Sequence, residues 1–192
     1  MNRINAYYEL RNGVVSTKDI HNRNEYLKTL RAEKRGELIR VRQGVYAEPS
    51  SVISTMIDVE KIVRNGIVCM YNAWSYYELT TTVPPAFCIA IEAKRKVRTS
   101  NIFPIMLYYW KKENLEFGTV WKEISGYKVR ITDLERSVCD AIKYRNKIGL
   151  DLCAEIVKAY LNKPERNLAM LSEYASKLRV SKILDNYLGI LM

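Results

Sequence analysis

Residues 14–48 read VVSTKDIHNRNEYLKTLRAEKRGELIRVRQGVYAE. Ser16 or Thr17 is placed to cap a very short helix with Asp19 in its first turn and Ile20 as its buried residue, and His21-Asn22 then makes a turn. Residues 23–35 predict a basic helix with two distinct faces. Tyr26, Leu27 and Leu30 fall at helical spacing on the inner side, while Asn24, Lys28, Arg31 and Arg35 form a polar stripe on the other. Gly36 ends this helix. Leu38, Val41, Val45 and Tyr46 then bound a tight hairpin that turns at Gln43-Gly44 and leaves Arg40, Arg42 and Gln43 outside. Helix, turn, helix and β-wing in this order describe a winged helix-turn-helix, which places one helix in the DNA major groove.

Outward from this stretch, Ile4, Tyr7, Tyr8 and Leu10 predict a packing helix closed by Asn12-Gly13. On the other side, the polar run Glu48-Pro49-Ser50-Ser51 marks a boundary, which divides the chain into a module of residues 1–48 and a remainder of residues 49–192. The remainder begins with a helical pattern (Val52, Ile53, Met56, Val59, Ile62, Val63) and a short buried strand from Ile67. Asn72 is expected to cap the helix that follows. Strands are expected over residues 86–92, 105–110, 118–124 and 127–131, the last two joined by a Ser125-Gly126 turn. From Thr132 the chain reads as helical to its end: Thr132 and Glu135 form a capping box, and Pro164 separates later helices. The expected class is α+β, with an N-terminal winged helix, a small mixed unit and a helical C-terminus.

The charge balance narrows the partner. Of 192 residues, 31 are Lys or Arg and 21 Asp or Glu, which leaves a net charge of +10 and points to a polyanion, nucleic acid ahead of a membrane surface. The stretch MNRINAYYEL lacks an apolar core of signal-peptide length, and no run approaches the roughly twenty apolar residues of a membrane span, so a cytoplasmic protein without membrane contact is expected. The cysteines Cys69, Cys88, Cys139 and Cys153 stand singly among apolar residues, with one histidine, His21, in the chain; reduced, buried thiols are expected, with no metal and no cofactor. DNA contacts are assigned to Thr17, Asn22, Arg23, Asn24, Lys28, Arg31, Arg35, Arg40, Arg42 and Gln43. Arginine and asparagine pair with guanine and adenine edges, and lysine suits phosphate.

Three places carry a family resemblance: the run GELIRVRQGVYAEP, the segment YNAWSYYELTTTVPPAFCIAI and the helix ITDLERSVCDAI. Together they resemble the AbiEi-like antitoxins of type IV toxin-antitoxin systems, which are transcriptional regulators of phage-defence loci. Asn72 stands where that pattern has serine and Ser137 where it has threonine. The resemblance implies a winged helix bound to the promoter of its own operon. It also implies a C-terminal domain that acts against a nucleotidyltransferase-like toxin without a stable complex. From the residues themselves, no Ser/His/Asp or Cys/His constellation can be assembled around His21 and no phosphate-cradling glycine loop is present, so no catalytic residues are expected.

Other readings compete. Glu92-Ala93-Lys94 after an apolar strand is half of a Mg²⁺-dependent restriction-type nuclease site, but the preceding residues TTTVPPAF supply no acidic partner. Lys94, Arg95, Lys96 and Arg98 form a possible second basic surface. With Lys111, Lys112, Lys122, Lys128 and Arg130 among Tyr108, Tyr109, Trp110 and Trp121, this region suits RNA binding, a longer DNA footprint, or lysine-protected edge strands. Arg136 and Asp140, four apart, read as an i, i+4 pair of the kind common on helix surfaces, here fixing its helix against the sheet.

Overall fold

The structure, a computed structural model, describes residues 14–49, 58–97 and 104–191. The expected helix at residues 4–10, the positions Val52, Ile53 and Met56, and Arg98 lie outside the described residues. The protein is mixed α+β and divides into two compact units. The first comprises residues 1–66, 94–105 and 122–129, and the second residues 67–93, 106–121 and 130–192.

In the first unit, strand β1 (Val14–Ser16), a 3-10 turn (Thr17–Asp19) and helix α1 (Arg23–Lys34) precede strands β2 (Ile39–Arg42) and β3 (Val45–Ala47). The strands form an antiparallel sheet in the order β1-β3-β2. The short helix expected before α1 is only this 3-10 turn, its first donors met by the Ser16 hydroxyl, which accepts from the Lys18 N–H at 3.3 Å. Three residues are too few to recover the cost of nucleating an α-helix. Asn22 caps α1, its Oδ1 accepting from the Glu25 N–H at 2.8 Å. At the other end Gly36 takes φ +74, and the Glu37 N–H donates to the Ala32 carbonyl and the Gly36 N–H to the Glu33 carbonyl, both at 3.0 Å. That pair of bonds is a Schellman closure, and it requires the left-handed glycine.

Val15, Ala32, Leu38 and Tyr46 make a small core, with Ile20 and Leu30 packed against it. The inner face of α1 is therefore Thr29 and Ala32, not Tyr26 and Leu27, which are 42% and 37% exposed. The small side chains of Thr29 and Ala32 let the helix backbone lie close to its neighbours, while Leu38 and Tyr46 from the sheet side supply the volume. The Thr29 hydroxyl is satisfied by the Glu25 carbonyl at 3.0 Å. A one-turn helix α2 (Val59–Ile62), capped by Asp58, buries Val59 and Ile62 in the same unit.

A five-stranded sheet, most of it in the second unit, runs in the order β6-β5-β4-β8-β7. Its strands are β4 (Ile67–Val68), β5 (Phe87–Glu92), β6 (Ile105–Trp110), β7 (Thr119–Ile124) and β8 (Tyr127–Thr132). Strand β4 is antiparallel to β5 and parallel to β8. Ser125 and Gly126 take φ +52 and +79, the double positive-φ turn that a two-residue hairpin needs. Helix α3 (Tyr71–Tyr76) starts after Met70, and Asn72 lies inside it rather than at its cap. Asn72 is buried, and its Oδ1 accepts from the Cys88 N–H at 2.7 Å, joining α3 to β5.

Helices α4 (Leu134–Ile148), α5 (Leu150–Leu161), α6 (Leu168–Lys177) and α7 (Ser181–Leu191) complete the second unit, with α4 packed on the other three. Its core includes Trp74, Leu79, Val138, Ile142, Ile156, Tyr160, Leu171 and Leu184. The four cysteines are reduced and buried, and burial raises the Cys88 thiol to about 11 and pushes Cys69, Cys139 and Cys153 up as well. Among the described residues no helix is long and apolar enough to cross a membrane.

Candidate nucleic-acid interface

The strand β1, the 3-10 turn, α1 and the β2–β3 hairpin position most of the expected contact residues. Arg23, Asn24, Lys28, Arg31 and Lys34 are all exposed on α1. Lys28 and Arg31 have no acidic partner among the described residues. Arg35 differs: its Nε and Nη2 donate to the two carboxylate oxygens of Glu37 at 2.7 and 2.9 Å. This bidentate hydrogen bond holds the Glu37 carboxyl below the usual carboxylate range. Of the polar stripe, Asn24, Lys28 and Arg31 remain available to a ligand while Arg35 is occupied, and the acidic residue two positions on was the signal for it.

The hairpin is fastened to the segment before α1. The Thr17 N–H donates to the Gly44 carbonyl at 2.7 Å, and a Cβ on Gly44, whose φ is +75, would meet the Thr17 Oγ1 at 2.6 Å. Thr17 is thus a half-buried support for the hairpin turn, and Asn22 an exposed cap whose side-chain oxygen is taken by the helix. Arg40 and Gln43 are exposed, and a bulge between Arg40 and Arg42 keeps Val41 buried against the sheet. The Arg42 side chain lies outside the described residues. Strand β1 has no sequence signature, being too short for alternation to register. It exists because Val15 sits opposite Tyr46 in the β3 register.

The second basic region is less uniform. Lys94 and Lys96 are exposed, whereas Arg95 is half-buried and its Nη1 donates to the Arg64 carbonyl. In the other unit Lys111 and Lys112 are exposed, but the Arg130 guanidinium is bound to the Thr119 hydroxyl at 2.8 and 3.0 Å and to the Leu115 carbonyl at 2.9 Å. Trp110 is buried and donates to the Tyr144 hydroxyl at 3.1 Å, so it is no stacking platform. Tyr109 and Trp121 are more than half exposed. Glu92 is exposed at the end of β5, and among the described residues no group of three or more His, Cys, Asp or Glu is placed to hold a metal ion.

The third resemblance motif is internal. Asp133, not Thr132, caps α4, its Oδ1 accepting from the Arg136 N–H at 2.8 Å; the Thr132 hydroxyl instead pairs with the Ser137 hydroxyl at 2.8 Å. Glu135 does not reach back to close a capping box. Its Oε1 accepts from the Tyr160 hydroxyl at 3.2 Å and from the Asn167 N–H at 2.9 Å, which ties α4 to α5 and to the start of α6. The Arg136–Asp140 pair is not on a surface, since both side chains are 1% exposed at 3.0 Å from Nε to Oδ1.

Arg136 is further held by the Asn114 and Phe117 carbonyls at 2.9 and 3.3 Å, and its Cζ lies 4.5 Å from the ring centroids of both Trp110 and Phe117. Burial raises the Asp140 carboxyl to about 6 despite its arginine partner. These charges hold loop 112–118 against α4 from inside, so the chemistry they carry is structural. A scan against protein-family models finds no match to the chain, and a search of curated proteins finds none with significant similarity.

Proposed function

We propose that the first unit is a winged helix-turn-helix that binds duplex DNA, with α1 as its reading helix and the β2–β3 hairpin as its wing. On this reading the protein is a transcriptional regulator that represses its own promoter and serves as the antitoxin of a type IV toxin-antitoxin system. The observation that carries the DNA-binding part is the outer face of α1. Asn24, Lys28 and Arg31 stand in solvent on a capped helix, with the exposed Arg40 and Gln43 on a hairpin in the same unit. A net charge of +10 supports a polyanionic partner. The antitoxin part is supported by the resemblance of the wing, the segment around Asn72 and the helix around Arg136.

Two experiments test the two parts. A reporter driven by the DNA upstream of the gene should be repressed by the wild-type chain, and Arg31→Ala should relieve that repression at equal protein level. Repression that is absent with the wild type, or unchanged in the variant, removes the regulator assignment. Co-expression with the neighbouring gene product, expected to be a nucleotidyltransferase-like toxin, should restore growth without the two proteins co-purifying. Growth arrest that persists on co-expression removes the antitoxin assignment.

A further inference from the structure

The buried face of α1 fixes which side chains point away from the protein. Successive residues turn by about 100° around the helix, so the exposed arc from Arg23 round to Lys28 spans about 140°, and Leu27, Arg31 and Asn24 fill its middle 60°. Lys28 and Arg35 lie on one side of that middle, Arg23 and Lys34 on the other. Cations thus border both sides of a centre that holds an amide, a leucine and a guanidinium. Leu27 is 37% exposed among these polar side chains. Leu27 belongs to neither apolar cluster of the described residues.

We infer that α1 reads a short duplex word through Asn24, Leu27 and Arg31, with Leu27 seated on a thymine methyl group and Lys28 and Lys34 gripping the two phosphate walls. The inference rests on the proposed DNA-binding reading. The major groove admits one helix, so the centre of the outer face meets base edges while its borders meet backbone. Each central residue has one best-matched base there: adenine for the asparagine amide, guanine for the arginine fork, and thymine for an aliphatic side chain, because its C5 methyl is the apolar group in that groove. Asn24 and Arg31 are two turns apart, about 10 Å along the axis, which spans about three base-pair steps. Leu27 lies between them, so the thymine falls inside the word. Arg35 takes no part because Glu37 holds its guanidinium.

The test selects binding sequences for the full chain from a random duplex library and then replaces thymine by deoxyuridine, one position at a time, in the enriched duplex. This removes a single methyl and leaves every hydrogen bond intact. Wild-type affinity should fall about fourfold at one thymine, the worth of burying one methyl. Leu27→Ala should bind the thymine and uracil duplexes equally, and Arg31→Ala should relax the guanine preference by roughly tenfold or more. Lys28→Ala and Lys34→Ala should each reduce the salt slope by about one while leaving the selected word unchanged. Indifference of the wild type to uracil at every thymine, or discrimination retained by Leu27→Ala, overturns the inference. Uniform binding of the library with no enriched word also overturns it and leaves the DNA-binding reading standing, whereas failure to retain any duplex removes both.

Discussion

Helix α1 keeps Asn24, Lys28 and Arg31 in solvent and turns Thr29 and Ala32 inward, whereas α4 buries Glu135, Arg136 and Asp140 along with its apolar residues. The two helices use similar side chains under opposite physical conditions. In water a charge is already satisfied and a pair adds little, so the fold has no need of the α1 cations. In the core a charge needs partners, and α4 surrounds its single guanidinium with two carbonyls, two aromatic faces and a carboxylate, of which Oδ1 is bonded and Oδ2 is left without a hydrogen bond. The comparison predicts that α1 variants lose binding without losing stability and that α4 variants do the reverse.

The largest effect is expected at Arg136. Replacing it with methionine leaves Asp140 buried without its cation and frees loop 112–118, and should cost about 3–5 kcal/mol in denaturant titrations. Gly118 comes next, because it takes φ +63 and a Cβ there would meet Arg136 Cβ at 2.7 Å and Cγ at 2.9 Å. Gly118→Ala should cost about 2–4 kcal/mol, with overpacking added to backbone strain. A variant as stable as the wild type at either position would place the anchor elsewhere.

Asp140 also gives the stability a pH signature. Its folded carboxyl titrates at about 6 and its unfolded one near the ordinary 3.8, so the unfolded chain releases its proton first. The contribution of Asp140 therefore declines as pH rises from about 4 to about 6 and is constant above. Unfolding midpoints measured across this range should show that decline, and Asp140→Asn should lack it. On α1 the expected change in stability is smallest. Lys28→Ala and Arg31→Ala should stay within about 0.5 kcal/mol of wild type, and breaking the exposed, solvent-screened Arg35–Glu37 pair should leave the stability nearly unchanged.

What the sequence made legible followed from local chemistry. Gly36, Gly44 and the Ser125-Gly126 turn announce the end of α1 and the two hairpins, because positive-φ turns depend on a few adjacent residues, whereas Asn22 reads as a turn residue and is in fact the cap of α1. Periodicity puts Tyr26, Leu27 and Leu30 on the inner side of α1; Leu30 does pack against the small core, but Tyr26 and Leu27 are exposed and the helix is seated on Thr29 and Ala32. Thr132 and Glu135 match a capping box by spacing, yet the cap is Asp133, and Glu135 answers to Tyr160 and Asn167, partners 25 and 32 residues away. Long-range demands of that kind leave no mark in a window of sequence. The burial of Arg136 and Asp140 is likewise decided by the loop and helices that close over them.

The proposed DNA-reading role of the outer face of α1 is open to direct measurement. The most direct test is the affinity of the full chain for a duplex from its own upstream region, measured by fluorescence anisotropy over a range of salt for the wild type and for Lys28→Ala. Wild-type log affinity should fall steeply with log salt, and the variant should bind more weakly with a slope shallower by about one. Equal affinity and equal slope in the two proteins would contradict the DNA-reading role.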